Sequence, residues 1–260
     1  MADAAIKALT EGQSLRVWSY IVTLFGDLAR EPGAYLAGAT LTALTGRVAI
    51  KPASMRVALH RLRKDGWLES QRAGRTSAYF LTERGRTETL AATKRIYAPN
   101  EHTSDIWHLL IAQPGAREAL EARAPEGMNL LPGIVLGMGP APHLGQCLAL
   151  TGTLATLPDW VRKTLVSSDL RADYASFEAR LSKVARLLPP QIPDLDRAVL
   201  RGLIVHGWRR LLLRHPDLPD DFLGPDCRIG PCRKQVMALL DRLGPVDAQA
   251  LCPATSQAAL

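Results

Sequence analysis

The chain has 260 residues, of which 47% are hydrophobic, and a formal net charge of +7. This length allows a sizeable core and about two domains, and the absence of an eighteen-residue apolar run argues against a transmembrane helix. The acidic, weakly apolar N-terminus argues against a secretory signal, so we expect a cytoplasmic protein. The four cysteines are scattered, which is not typical of a disulfide-stapled secreted domain.

The positive charge is confined to one part of the chain. Residues 1–97 contain fifteen Lys and Arg against eight Asp and Glu, whereas residues 98–260 contain seventeen of each. A basic domain carried by a neutral body is typical of a protein that binds nucleic acid through that domain.

The first predicted elements form a helix-turn-helix. Ser14 is the predicted N-cap of a helix with one apolar stripe, made by Val17, Trp18, Ile21, Leu24, Phe25 and Leu28. A shorter helix over residues 37–44 should end near Gly46, and residues 47–50 make the turn. Pro52 suits the first position of the next helix.

That next helix has two distinct faces. One apolar stripe consists of Met55, Ala58, Leu59 and Leu62. The opposite face presents Val57, His60 and Lys64, flanked by Arg56 and Arg61. Helical periodicity therefore predicts a buried stripe beneath a basic face that fits a major groove.

A basic hairpin should follow. Asp65-Gly66 ends the helix, residues 67–70 resume as a strand, Arg72 and Arg75 lie around a tight turn, and residues 77–82 return. Thr82 is the predicted cap of a closing helix that includes residues 87–96, and residues 97–100 are the predicted linker. The whole order predicts a winged helix-turn-helix over residues 1–97, whose helix reads base edges while its wing holds phosphate or the minor groove.

The rest of the chain has a different pattern of hydrophobic and polar residues. Residues 106–111, 133–137 and 147–151 are predicted strands, residues 115–124 and 159–165 helices, and residues 125–132 and 137–142 loops. This order predicts a ferredoxin-like α/β domain over residues 98–167. Three further helices, at 170–188, 195–213 and 232–243, predict a helical domain over residues 168–260. The expected fold class is α+β.

The combination of motifs resembles one family. The similarity lies in residues 20–27, in 55–62 with Gly66-Trp67-Leu68, in 74–79 with Leu81-Thr82, and in 208–210 with 215–219. Together these runs resemble the PaaX-type repressors of phenylacetic acid degradation. The resemblance implies a homodimeric repressor of a phenylacetate-type catabolic operon, which an acyl-coenzyme A such as phenylacetyl-coenzyme A releases from double-stranded operator DNA.

Candidate effector residues lie on one predicted helix. They are His206, Trp208, Arg209 and Arg210. The arginines could hold coenzyme A phosphates, and the aromatic side chain could stack on adenine or phenyl. Alternatively, Trp208 belongs to the core, and Arg209 and Arg210 pair with acids such as Asp217 and Asp220.

Catalysis and metal binding have little support in the sequence. The GxSxG, P-loop and HExxH motifs are absent. A metal-dependent nuclease needs a carboxylate where the first middle-domain strand ends, and Gln113 follows that strand instead. Cys227 and Cys232 have a spacing unusual for zinc. We therefore predict a regulator with no catalytic residue, no metal and no bound cofactor.

We therefore hypothesise a dimer that places two recognition helices in successive major grooves. Base and phosphate contacts would come from Arg56, Val57, His60, Arg61 and Lys64, with Arg72 and Arg75 gripping from the wing. The alternative is a winged-helix module that binds another protein.

Overall fold

The computed structural model describes residues 2–73, 76–97, 105–123, 127–215, 219, 223–224 and 226–251. The helices are α1 (Asp3–Thr10), α2 (Val17–Leu28), α3 (Gly38–Gly46), α4 (Pro52–Lys64), α5 (Glu83–Tyr97), α6 (Arg117–Arg123), α7 (Asp159–Leu165), α8 (Ser168–Leu187), α9 (Asp194–Leu212) and α10 (Ile229–Leu243). The strands are β1 (Tyr35–Ala37), β2 (Leu68–Ala73), β3 (Thr76–Leu81), β4 (Trp107–Ala112), β5 (Met128–Leu131), β6 (Ile134–Met138) and β7 (Cys147–Gly152). The protein is thus a mixture of helices and two small antiparallel sheets, in agreement with the α+β prediction.

Two compact units share the chain. The first combines Met1–Ala98, Ser176–Arg210 and Pro231–Leu260, and the second combines Pro99–Ala175 with Leu211–Gly230. Most of α8 to α10 therefore belongs to the same unit as the basic N-terminal elements. The boundaries at residues 97 and 167 remain predictions about evolutionary or folding domains, whereas these units describe packing.

The first sheet has the order β1-β3-β2, with both pairs antiparallel. Sequence patterns missed β1 and α1, because a strand of three residues and a helix of eight carry little periodicity. The predicted Ser14 cap was wrong. Helix α2 has Arg16 at its N-cap position and no side-chain cap there.

Burial of α2 is wider than the predicted stripe. Tyr20, Val22 and Thr23 are buried together with three predicted positions, Ile21, Leu24 and Phe25. Val17 and Leu28 are only partly buried, and Trp18 is 38% exposed. The cause is a second neighbour, since α9 packs on α2 closely enough that a Cβ on Gly202 would lie 2.8 Å from Leu24 Cδ2. A helix covered on two sides loses its polar face.

The second sheet has the order β5-β6-β4-β7 and is antiparallel throughout. Its core contains Leu110, Leu120 and Val135. One prediction needs correction, because strand β5 lies inside the predicted loop at residues 125–132. Helix α7 coincides with the predicted helix at residues 159–165 and follows β7. Strand β5 has only four residues, too few for a clear alternation.

The C-terminal helices α8, α9 and α10 confirm the three predicted helical segments to within a few residues. Among the residues that the structure describes, none of the helices is long and apolar enough to cross a membrane.

Candidate nucleic-acid interface

Helix α4 is anchored by its predicted apolar stripe. Met55, Ala58, Leu59 and Leu62 are each 3–6% exposed. The hydroxyl of Thr45 in α3 donates to the Leu41 carbonyl over 2.6 Å, and its oxygen lies 3.4 Å from Met55 Sδ. This packing fixes the rotation of α4 about its axis, so the opposite face has a defined direction.

The turn before α4 sets where the helix begins. The Ile50 N–H donates to the Thr45 carbonyl over 3.0 Å, and Ala49 adopts a left-handed conformation with φ of 58°. Pro52 is the first helical residue, as predicted, and Lys51 precedes it in an extended conformation. Proline suits this position because its missing N–H would have no helical acceptor.

The end of α4 joins the hairpin rigidly. Trp67 N–H donates to Leu62 O and Gly66 N–H to Arg63 O, the two bonds of a Schellman motif, with Gly66 at φ of 72°. The Thr82 hydroxyl donates to the Gly66 carbonyl over 2.7 Å and accepts from the Gly85 N–H over 3.0 Å. Thr82 therefore caps α5, as predicted, and ties both hairpin ends together.

The outward face of α4 is basic and open. Arg56, His60, Arg63 and Lys64 are exposed, and within the described part of the chain none of them has a hydrogen-bond or ion-pair partner. Val57, at the centre of this face, is 70% exposed. An unpaired cationic surface around one apolar side chain is suited to phosphates and base edges.

Arg61 differs from its neighbours. Its Nε lies 3.5 Å from an Asp65 carboxylate oxygen, and its guanidinium carbon lies 5.8 Å from the centre of the Trp18 ring. These contacts hold Arg61 toward the α2 side of the face. It is consequently less free to reach a base than Arg56 or Lys64.

Arg63 was not among the predicted residues. It lies with His60 and Lys64 along an open groove whose other side is formed by Leu68, Glu69 and Ser70 of β2. Arg63 follows the buried Leu62 directly, so helical periodicity did not place it among the residues opposite the stripe. Its exposure and its three-residue offset from His60 could have identified it.

The hairpin carries the remaining predicted residues. Arg72 is exposed on β2, where it pairs in register with Ser77 of β3. Arg75 lies outside the described residues, so its role in the wing stays a prediction.

Arg47, in the turn between α3 and α4, links this region to distant parts of the chain. Its Nε lies 2.7 Å from Asp196 Oδ1 in α9, and its Nη2 lies 2.8 Å from Asp3 Oδ1 in α1. The two carboxylates, Asp196 first, raise the pKa of Arg47. No sequence pattern links partners that are 44 and 149 residues apart.

The predicted effector residues face different environments. Trp208 is fully buried, and its indole N–H donates to the Ile96 carbonyl over 3.1 Å. His206 is 3% exposed, and its Nδ1 lies 3.3 Å from Thr23 Oγ1. Burial, with the charges of Arg210 and Arg209 adding to it, lowers the pKa of His206 to about 3. His206 is thus neutral at pH 7, and the burial of Trp208 agrees with the alternative that placed it in the core.

Arg209 and Arg210 are also separated. Arg209 is half-buried and donates from Nη1 to Ser19 O and Thr23 Oγ1, whereas Arg210 is exposed and donates to Ser14 O. Burial lowers the pKa of Arg209. Their expected acidic partners, Asp217 and Asp220, lie outside the described residues.

The position considered for a nuclease metal offers no carboxylate. Gln113 is exposed directly after β4. Across the described ranges, no group of three or more His, Cys, Asp or Glu side chains is arranged to hold a metal ion.

Comparison with known proteins identifies relatives over both ends of the chain. Residues 16–85 match the family of PaaX-like proteins, and residues 167–244 match the C-terminal domain of PaaX-like proteins. The transcriptional repressor PaaX of Escherichia coli strain K12 is 27% identical over 258 residues, covering 87% of this chain and 80% of the relative.

A solved structure has a similar fold. The uncharacterized protein Rv0674 from Mycobacterium tuberculosis superposes with a TM-score of 0.53 at 21% identity, over 88% of this chain and 98% of that one. The curated relative is a repressor, which supports the prediction of a regulator that is not an enzyme. With both characteristic domains matched, the chain belongs to the PaaX family.

Proposed function

We propose that this protein is a DNA-binding transcriptional repressor that uses α4 as its recognition helix. The observation that carries the proposal is the unpaired basic face of α4, formed by Arg56, His60, Arg63 and Lys64 above a fully buried stripe. Membership of the PaaX family and the repressor function of the Escherichia coli relative support it.

In this proposal α2, α3, α4 and the β2–β3 hairpin form a winged helix-turn-helix. Helix α3 crosses the DNA backbone and α4 enters the major groove. The second sheet is interpreted as ferredoxin-like, because its strand order and antiparallel pairing fit that arrangement, with a loop in place of the second crossover helix.

The residues of the face have different tasks. Arg56 and Lys64 are long and unpaired, so they can reach guanine edges or phosphates, and Val57 can contact a thymine methyl group. Arg61, held by Trp18 and Asp65, serves a phosphate at the edge of the groove. Arg72 contacts the DNA phosphate backbone from the wing, and Arg75, which lies outside the described residues, is proposed to do the same.

The protein would act as a homodimer on a palindromic operator. Two-fold symmetry places the α4 helices in half-sites about 34 Å apart, one helical turn of DNA. Occupation of such a site excludes polymerase from an overlapping promoter. We further propose, on the family resemblance, that the regulated genes serve aromatic-acid catabolism of the phenylacetate type.

An acyl-coenzyme A, such as phenylacetyl-coenzyme A, is the proposed releasing effector. Of the four residues predicted to bind it, Arg210 is exposed and available to a phosphate, whereas Trp208 and His206 are buried behind it. By linkage, operator DNA must weaken effector binding by the same factor as the effector weakens DNA binding.

A salt-titrated gel shift tests the DNA-binding proposal. The protein is mixed with DNA from upstream of its own gene, and with a scrambled duplex, at several salt concentrations. We expect preference for the upstream DNA, and the slope of log K against log salt should fall by about 1 in R72A, as one phosphate contact is lost. The matched control K183A removes one exposed charge from α8 and should leave the slope unchanged.

Other outcomes separate the parts of the proposal. Equal binding to scrambled DNA, with K64A like the wild type, would favour a protein-interaction module. Specific binding that phenylacetyl-coenzyme A does not affect would keep the repressor and discard that effector.

A further inference from the structure

An apolar pocket lies behind the proposed DNA-binding face, between α2, α5 and α9. Its enclosed volume is about 40 Å³, and the pocket is partly open to solvent. Its walls include Val22, Ala92, Ile96 and Val205, and Trp67 at the start of the hairpin closes one side. This volume is well below that of a site for a drug-sized ligand, so an occupant would be small and would extend toward the open side.

Arg209 lines this pocket without a carboxylate partner. Its Nη1 donates to Ser19 O over 3.4 Å and to Thr23 Oγ1 over 3.2 Å, both longer than the usual 2.9–3.0 Å. A guanidinium has five N–H donors, and a cation that is partly withdrawn from water is normally paired. Among the described residues, no carboxylate lies within ion-pair distance of it.

The acidic group nearest to the pocket is already engaged. Glu88 lines the rim, where its carboxylate accepts from Arg84 Nε over 2.9 Å and its side chain is 44% exposed. The phenol of Tyr97 donates to Asp27 over 2.8 Å, and Asp27 is in turn bound by Arg201. Arg209 therefore provides the unneutralised charge of this pocket within the described chain.

Thr89 gives an independent sign of a missing ligand. The residue is 7% exposed and lines the same pocket, and its hydroxyl has no hydrogen-bond partner among the described residues. A buried hydroxyl without a partner costs free energy, so such groups usually meet a ligand, an ion or water. A cation and a free hydroxyl thus share one apolar pocket.

We propose that this pocket binds a small organic monocarboxylic acid. The carboxylate pairs with Arg209, the apolar body lies against Val22, Ala92 and Val205, and the Thr89 hydroxyl bonds to a polar group of the ligand. Among the described residues that line the pocket, Arg209 is the only cation, which favours a monoanion. A coenzyme A thioester is too large for the pocket, so this site is distinct from the proposed acyl-coenzyme A effector site and goes beyond it.

Calorimetric titration of the full chain without DNA tests the site. The probes are sodium butyrate, hexanoate and benzoate, with benzamide as a neutral molecule of the same shape as benzoate. At least one acid should bind, and benzamide should bind at least about tenfold more weakly than benzoate, because it lacks the charge that Arg209 recognises.

Variants locate the binding. Arg209→Met should weaken acid binding at least about tenfold, whereas Lys94→Met, which removes an exposed charge from α5 outside the pocket, should leave it unchanged. Ala92→Leu fills the pocket while keeping Arg209, so it should also block binding. This variant provides the test if Arg209→Met does not fold.

Three results would overturn the proposal. They are no binding of any of the acids, measurable and equal binding of benzamide and benzoate, or equal losses in Arg209→Met and Lys94→Met. The titration contains no DNA, so its failure leaves the repressor proposal intact, and a failed gel shift leaves this site intact.

Discussion

Replacing Asp27 by Asn should break the main polar link between α2 and α9. Arg201 binds both carboxylate oxygens of Asp27, at 2.8 and 3.0 Å, and Tyr97 donates to the same group over 2.8 Å. The side chains of Asp27 and Arg201 are only 2% and 12% exposed. Asn keeps the shape of the side chain but removes its charge.

The expected cost is about 3 kcal/mol of unfolding free energy. Removing one partner of a buried ion pair typically costs about 3–5 kcal/mol, because the other charge stays buried. The lower end applies, since Arg201 keeps the Leu240 and Gly244 carbonyls as acceptors, at 3.1 and 2.8 Å. In a double-mutant cycle with Arg201→Met, the double mutant should lose less unfolding free energy than the sum of the two single-mutant losses, by at least about 1 kcal/mol.

Urea unfolding followed by far-ultraviolet circular dichroism at pH 7.5 provides the measurement. The control is Asp173→Asn, which breaks the ion pair with Arg214 between side chains that are 51% and 47% exposed. It should cost less than about 1 kcal/mol. If Asp27→Asn costs no more than this control, or if the cycle is additive, the reasoning that joins α2 to α9 through this ion pair is wrong.

Three further substitutions test the packing of the same unit. Gly85→Ala should lower the free energy of unfolding by about 2–4 kcal/mol, because the new Cβ would lie 2.3 Å from the Trp67 carbonyl oxygen. In the control Gly46→Ala the new Cβ meets no atom within 4 Å, so urea unfolding should be close to that of the wild type. Ala49→Gly should stabilise the protein by up to about 1 kcal/mol and so raise its melting temperature, because glycine adopts φ of 58° without steric cost. A lower melting temperature would contradict this. The folded-state pKa of His206 lies below its unfolded value of 6.5, so the stability that the neutral side chain contributes is complete above about pH 6.5 and is lost as the pH falls toward 3. Between pH 7 and 4.5, the free energy of unfolding of the wild type should therefore fall by about 2–3 kcal/mol more than that of His206→Gln. Parallel pH profiles of the two proteins would refute this.

Local patterns predicted the elements around α4 well. The spacing of Met55, Ala58, Leu59 and Leu62 identified a buried stripe, and helical geometry then left Val57 exposed on the opposite face. Glycine and threonine at fixed offsets also predicted the end of α4 and the cap of α5. These features succeed because their causes, periodicity and capping, act within a few residues.

Short or weakly patterned elements were less predictable. Strand β5 was taken for a loop, α1 and β1 were missed, and the Ser14 cap was wrong, because each depends on few residues or on packing partners elsewhere. Arg63 was missed for a different reason. The groove that gives it a surface role is completed by β2, which follows α4 only after the turn at Gly66.

Three features follow from the sequence alone: the family, the basic character of residues 1–97 and the direction of the α4 face. The three-dimensional fold is needed to establish that α9 packs on α2, that Arg47 and Asp27 find partners in α9, and that Trp208 is buried while Arg209 lines a pocket. The reason is sequence separation. Asp27 and Arg201 lie 174 residues apart, so no local pattern relates them, and only the packed helices bring their charges within hydrogen-bonding distance.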